Sequence, residues 1–336
     1  MRAGTQRDRA ATPRPELTRV PMRPGTDGEL SGALAPGRRV RLSTRHGPVT
    51  VHLRETAGSP SRAETAVYLH GLAGSATNWT DLAELLSVRL RGIAVDLPGF
   101  GRSEPPGWFD YTGEQHAHVV IRLLEELGAG AVHLLGNSFG GAVAVLVAVR
   151  RPDLVASLTL VSPAVPDLRP DPRRMSDPRL PLTRLPLLGP VVRRKLAAMP
   201  AHERTRQLLR LCFAEPEAVP PSHIEVAVEE FRERAGLAWA EVALGRTTTE
   251  LMRTWLLPPW RSPWLLLPQV SAPSLVVWGR EDRVLGIRKA PRTARDLPRG
   301  RLLVLPRTGH VAQMERPRVL AKAVLGMLDE IDAHRW

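Results

Sequence analysis

Leu134-Leu135-Gly136-Asn137-Ser138-Phe139-Gly140-Gly141 is the stretch on which the reading of this chain turns. Residues 131–135 are an apolar run of strand length, and residues 141–149 are an Ala/Val-rich run of helix length. A strand that turns at once into a helix forces its junction residue, Ser138, into a strained backbone conformation. Gly136 and Gly140 lack a Cβ, so the two elements can pass close together. The turn presents the Ser138 hydroxyl at the carboxyl end of the sheet. It also leaves the Phe139 N–H at the positive end of a helix, where developing negative charge is stabilised. A glycine-rich turn before a helix would be written in the same letters. The rest of the chain therefore has to supply a base, an acid and a second oxyanion donor.

Upstream, residues 39–44 and 49–54 alternate apolar and polar around His46-Gly47-Pro48, the pattern of an antiparallel hairpin. Residues 57–63 read as a turn-rich loop. Residues 66–70 and 92–96 are continuous apolar runs, expected of strands covered on both faces. A helix is expected from about Thr77, and a second from Thr112 or Gly113, with Val119, Val120, Leu123, Leu124 and Leu127 on one stripe and Gly128 as its stop. Downstream, 155–161 is a further buried strand, 274–278 and 302–305 are strands, and 317–333 is a closing helix. Strands alternating with helices predict an α/β fold with a parallel sheet. Residues 163–270 break the rhythm. They are rich in Pro, Leu, Arg and Trp, show helical pieces around 191–199, 203–213, 224–234 and 248–256, and read as a helical cap over the site. The expected organisation is a disordered tail over 1–37, core over 38–162, cap over 163–270 and core again over 271–336. No internal repeat is evident.

Composition bounds the partners. The formal charge is +13, carried mostly by Arg spread over tail, cap and C-terminal part without a nucleic-acid motif, so nucleic acid is not an expected ligand. No apolar run is long enough to cross a bilayer, and the Arg- and Pro-rich beginning lacks the apolar core of a secretory signal. A cytoplasmic enzyme is the expectation. Cys212 is the single cysteine, so no intrachain disulfide can form, and its apolar surroundings mark it as a buried small hydrophobe.

A serine hydroxyl needs a neighbouring base, and that base needs an acid to hold one tautomer. His310 follows the last strand and Asp282 the strand before it, both at the sheet edge where Ser138 is expected. Ser, Asp, His is the chain order expected when such an elbow opens a triad. Glu281 is the neighbouring rival acid, and Asp167, after residues 155–161, is a fallback. Asp282 could instead be a turn or capping residue, and His310 a surface histidine. His133 is expected in the core, and His116 and His118 on a solvated helix face. Gly71 permits a tight turn after His70, so the Leu72 N–H is the expected second oxyanion donor beside Phe139. His70 is expected to hold that loop through its ring nitrogens.

These motifs together resemble the α/β-hydrolase fold superfamily, from about Arg38 to the end of the chain. They are His70-Gly71-Leu72-Ala73-Gly74, Asp96-Leu97-Pro98-Gly99-Phe100-Gly101-Arg102-Ser103, Gly136-Asn137-Ser138-Phe139-Gly140-Gly141, Gly279-Arg280-Glu281-Asp282, and Gly309-His310-Val311-Ala312-Gln313-Met314-Glu315-Arg316-Pro317. The resemblance implies an eight-stranded, mostly parallel sheet with an antiparallel second strand and a cap after the sixth. Serine as nucleophile sets the chain apart from the haloalkane dehalogenase and epoxide hydrolase branches, which use Asp. Gly-Asn-Ser-Phe-Gly-Gly is similar to the meta-cleavage-product hydrolases, which break carbon–carbon bonds. Those typically carry Gly-x-Gly-Pro-Gly in the first loop and Trp after the histidine, where this chain has Gly71-Leu72-Ala73-Gly74-Ser75 and Val311. The expected activity is therefore that of an esterase or monoacylglycerol-lipase-like serine hydrolase acting on an apolar ester, with no metal or organic cofactor. Carbon–carbon hydrolysis, cofactor-free perhydrolysis and a non-catalytic binder are the alternatives. Residues 254–267 concentrate Trp and Leu. They are expected to line an acyl pocket, to dock on a membrane surface with Arg193, Arg194 and Lys195, or to pack the cap on the core.

Overall fold

A computed structural model describes residues 20–24, 30–56, 64–168 and 199–336. Eight strands form one sheet: β1 (Gly37–Thr44), β2 (Gly47–Glu55), β3 (Glu64–Leu69), β4 (Leu90–Val95), β5 (Val132–Asn137), β6 (Val155–Val161), β7 (Ser274–Gly279) and β8 (Gly300–Leu305), in the order β1-β2-β4-β3-β5-β6-β7-β8. β2 runs antiparallel to both its neighbours, β1 and β4, and every other pairing is parallel. The expected sheet, with its reversed second strand, is the one observed.

The central strands β3 to β7 read as continuous apolar runs because both faces are covered, whereas β1 and β2 alternate and β8 is only partly buried. In β3, Val67 and Leu69 face one hydrophobic cluster while Ala66 and Tyr68 face the other; in β7, Val276 and Trp278 take the first face, Leu275 and Val277 the second. The first cluster is closed by α2 (Gly113–Leu127), α3 (Phe139–Arg150) and α7 (Ala290–Asp296). The second is closed by α1 (Thr80–Leu86), the short α8 (Ala312–Glu315) and α9 (Pro317–Asp332). α2 starts where the Thr112 hydroxyl accepts from the Gln115 N–H at 3.1 Å and stops at Gly128, whose φ of +59° is a glycine conformation.

Between β6 and β7 lie α4 (Ala201–Cys212), α5 (Pro221–Ala235) and α6 (Ala240–Trp255), then two 3-10 turns, Pro259–Arg261 and Pro263–Gln269. No strand occurs among the described residues of this insert. Ala243, Leu251, Trp255, Trp264 and Leu267 join the first cluster, so part of the Trp- and Leu-rich stretch packs on the core. Leu256 and Trp260, by contrast, are 70 % and 76 % exposed. The helix expected around 191–199 (but for its last residue), Arg193, Arg194 and Lys195, and the turn-rich loop over 57–63 lie outside the described residues.

Two expectations need correction. The expected disordered tail does not run to residue 37: Arg23 N donates to Lys322 O at 3.0 Å, Ser31 holds the Glu84 carboxylate through N and Oγ at 3.0 Å each, and Val20 and Leu30 pack on the second cluster. His116 is not on a solvated face; it is fully buried. It lies one turn before Val119 and Val120, so helical spacing puts it on the same inward stripe.

Candidate active site

Ser138 joins β5 to α3 with φ 52° and ψ −117°, a conformation that a residue with a side chain rarely holds. The surrounding backbone fixes it. Ser138 N donates to Val161 O at 3.0 Å, and Ser138 O accepts from Ala142 N at 3.1 Å and Ala164 N at 2.9 Å. The flanking glycines are required by contact. A Cβ at Gly136 would run into the backbone of Gly140 and Gly141, and one at Gly140 into the carbonyls of Leu69 and His70.

His310 and Asp282 leave β8 and β7 at the same edge. The His310 Nδ1 lies 2.9 Å from Asp282 Oδ2, with the histidine 6 % and the carboxylate 0 % exposed at the side chain. The other oxygen of Asp282 accepts from Val284 N at 2.8 Å and Leu285 N at 2.9 Å, which fixes the carboxylate in place. The rival acids are engaged elsewhere. Glu281 accepts from Thr308 N at 3.0 Å, and Asp167 faces Gly286 N at 3.4 Å and Lys289 Nζ at 3.5 Å.

Ser138 and His310 are tied through Asn137. Its Nδ2 donates to the carbonyls of His310 and Val161, each at 3.1 Å. Among the described residues no hydrogen bond joins the Ser138 hydroxyl to the His310 ring, a contact that commonly tightens only when substrate binds.

The loop after β3 runs directly against this elbow. A Cβ on Gly71 would lie 3.0 Å from Asn137 Oδ1 and 3.1 Å from Ser138 Cβ. His70 holds the loop: its Nδ1 donates to Gly71 O at 2.7 Å, and its Nε2 accepts from Leu97 N at 3.0 Å. Burial pushes the His70 pKa down, which keeps the ring neutral and able to play both parts. Leu72 follows Gly71 and Phe139 follows Ser138, so the two residues expected to offer oxyanion donors flank this close approach.

Asp96 braces the next loop. It accepts from His52 Nδ1 at 2.8 Å, Ala76 N at 2.7 Å and Arg102 N at 2.9 Å. Burial works against its charge, but these donors outweigh it and hold the carboxyl below its ordinary range. Burial pushes the Cys212 thiol up to about 12, helped by nearby Asp282 and Glu315, which removes it as a nucleophile. Among the described residues no group of three or more His, Cys, Asp or Glu is disposed to hold a metal ion. Among the same residues no helix is long and apolar enough to cross a membrane.

Sequence reasoning left Asn137 and Glu315 without roles. A polar residue between the glycine and serine of a buried turn was the available signal for Asn137. Glu315 gave none, because one of its two partners, Ala214, comes from a distant part of the chain.

A model of the alpha/beta hydrolase fold matches residues 67–317. The chain is 25 % identical over 286 residues to a 2-hydroxy-6-oxononadienedioate/2-hydroxy-6-oxononatrienedioate hydrolase of Cupriavidus pinatubonensis, covering 83 % of this chain and 90 % of that one. It is 25 % identical over 284 residues to the monoacylglycerol lipase abhd6-A of Xenopus laevis, covering 82 % and 78 %. The crystal structure of a bacterial membrane phospholipase A superposes with a TM-score of 0.72 at 25 % identity, covering 90 % of this chain and 88 % of the other.

Proposed function

The chain belongs to the alpha/beta hydrolase fold family, and from that premise we propose that it is a serine hydrolase cleaving a carboxylic ester of an apolar or lipid-like substrate through an acyl-enzyme. The observation that carries this reading is the buried His310–Asp282 pair at 2.9 Å, roped to the Ser138 elbow by the Asn137 amide. With Nδ1 committed to Asp282, the other ring nitrogen is free to take the Ser138 proton as the hydroxyl oxygen attacks the ester carbonyl. The N–H groups of Leu72 and Phe139 receive the oxyanion, each donor contributing on the order of 3 kcal/mol in the transition state. Collapse expels the alcohol, which takes the proton from His310. Water then attacks the acyl-enzyme, with His310 as base again, and releases the acid. The steps call on no metal or organic cofactor. The names of two relatives, a monoacylglycerol lipase and a phospholipase A, support an ester of a lipid.

A second reading, hydrolysis of a carbon–carbon bond, is favoured by likeness to the 2-hydroxy-6-oxononadienedioate/2-hydroxy-6-oxononatrienedioate hydrolase. Both readings use the same three side chains and differ in the bond presented to them. Wild type and Ser138→Ala would be treated with a fluorophosphonate probe, then assayed on p-nitrophenyl esters of rising chain length beside a vinylogous 1,5-diketone. The expected result is labelling that vanishes in the variant, ester turnover lowered by about a million-fold in it, and little turnover of the diketone. Substantial ester turnover by a clean preparation of the variant would remove Ser138 from the chemistry. Faster turnover of the diketone would select the second reading. Stabilisation by an ester without product would leave a binding protein.

A further inference from the structure

A half-buried carboxylate beside the candidate site has no part in the ester mechanism. Glu315 ends α8, and its two oxygens reach two different segments. Oε1 accepts from Gly309 N at 2.6 Å, and Oε2 accepts from Ala214 N at 2.7 Å. Gly309 immediately precedes His310; Ala214 lies two residues beyond the end of α4, in the cap insert. The same crossing is stitched twice more. His310 N donates to Cys212 O at 2.6 Å, and Arg283, next to Asp282, donates to Arg210 O at 2.5 Å and Phe213 O at 3.1 Å. A Cβ on Gly309 would strike Cys212 O and Ala214 N, so the histidine segment and the end of α4 are in direct backbone contact.

Two N–H groups converge here from segments far apart in the chain, and a buried N–H without an acceptor is costly. Only a side chain with two acceptor oxygens and no proton satisfies both at once. A glutamine would offer one oxygen and turn an N–H₂ toward the other donor. Burial disfavours the charge at Glu315, so the carboxylate is kept where an uncharged group would be cheaper to bury.

We propose that Glu315 is a positioning residue, whose carboxylate fixes the place of His310 through Gly309 and couples that place to the seating of the cap through Ala214. The proposal rests on the serine-hydrolase reading. Its consequence is that the imidazole is in register with Ser138 only while the end of α4 is in place.

The test compares full-length wild type, Glu315→Gln, Glu315→Ala and Ala214→Pro. The readouts are the rate of fluorophosphonate labelling, kcat and KM on one p-nitrophenyl ester, and the thermal midpoint. Arg102→Ala is the control, since it removes a side-chain contact to Glu233 of the insert at 2.7 Å and its side chain makes no bond to the histidine segment. Proline at 214 removes the cap-side donor alone, and the φ of −101° and ψ of 142° at Phe213 suit a residue before proline. Misplacing a reacting group by about 1 Å costs on the order of 100-fold. Labelling and kcat are therefore expected to fall about 100-fold in Glu315→Ala and about tenfold in Glu315→Gln, with KM little changed and assays run well below the midpoint. Ala214→Pro is expected to slow labelling, while Arg102→Ala leaves the rate alone. If Glu315→Ala does not fold, Glu315→Gln decides. Wild-type labelling rates in both Glu315 variants, or a rise in KM alone, would overturn the positioning role. A wild-type rate in Ala214→Pro would overturn the coupling to the cap. Failure of the wild type itself to label Ser138 would defeat the serine-hydrolase reading first and this proposal with it.

Discussion

Gly71 shows how little room separates the two loops that the mechanism brings together. A methyl group there would sit 3.0 Å from Asn137 Oδ1 and 3.1 Å from Ser138 Cβ, a few tenths of an ångström inside ordinary contact. The elbow cannot yield, because Ser138 is bonded on both sides and Asn137 spans to the His310 carbonyl. Gly71→Ala should therefore move the loop that carries Leu72. We expect kcat to fall about tenfold, with a loss of stability of about 1–3 kcal/mol. Unchanged kcat on a p-nitrophenyl ester would show that the Leu72 N–H is not a donor. Asp282→Asn tests the other end of the relay. An amide nitrogen facing either the imidazole or the N–H groups of Val284 and Leu285 breaks one side of the arrangement. Turnover should drop roughly four orders of magnitude while the fold survives, as measured by kcat beside the thermal midpoint.

α2 carries an electrostatic consequence that its helical pattern conceals. The His116 ring nitrogens meet Thr112 O at 2.8 Å and Pro98 O at 3.1 Å, and its edges meet Phe109 and Phe139. Both carbonyls favour the protonated ring, yet burial outweighs them and pushes its pKa down to about 4 from an ordinary 6.5. Since the folded state then binds fewer protons than the unfolded state, stability falls as pH drops from 6.5 to about 4. Complete traversal of that window costs about 3 kcal/mol from this residue. His70 and His133, also lowered by burial, act in the same direction. His116→Gln should flatten the acid slope of denaturant midpoints across this window; an unaltered slope would place the proton elsewhere. The helix itself was legible because Val119, Val120, Leu123 and Leu124 mark one stripe. His116 was misplaced because a histidine was counted as polar where spacing had already put it inside. The strands were legible for a related reason, as helices on both faces of a parallel sheet leave only apolar letters. Asn137 and Glu315 were not, because each has a partner, His310 and Ala214 respectively, that lies 173 or 101 residues away, and no local pattern encodes such a meeting.

Across the whole molecule, the two faces of the sheet are covered in different ways. The first cluster is sealed by helices and by residues of the insert between β6 and β7 such as Ala243 and Trp255, so this face depends on the insert. The second is sealed by α1 and α9, with Val20, Leu30 and Trp336 at its margin. Residues 20–24 and 30–36 therefore act as a strap. Pro21 and Met22 press so close to α9 that a Cβ on Gly326 would meet Pro21 O at 2.5 Å and Met22 N at 3.1 Å. Arg23 bonds to Lys322 O, and Ser31 to Glu84. None of these contacts reaches Ser138, Asp282 or His310. A chain shortened to begin at Gly37 should thus lose stability without losing reactivity. Exposing the partly buried Val20 and Leu30 together with the helix surface beneath them costs about 2 kcal/mol, a fall in thermal midpoint of about 3 °C. Fluorophosphonate labelling at room temperature should proceed at the full-length rate. An unchanged midpoint would mean that the strap only lies on the core. A slowed rate would mean that the second cluster supports the histidine segment through Ala312, which belongs to that cluster and begins α8 two residues after His310.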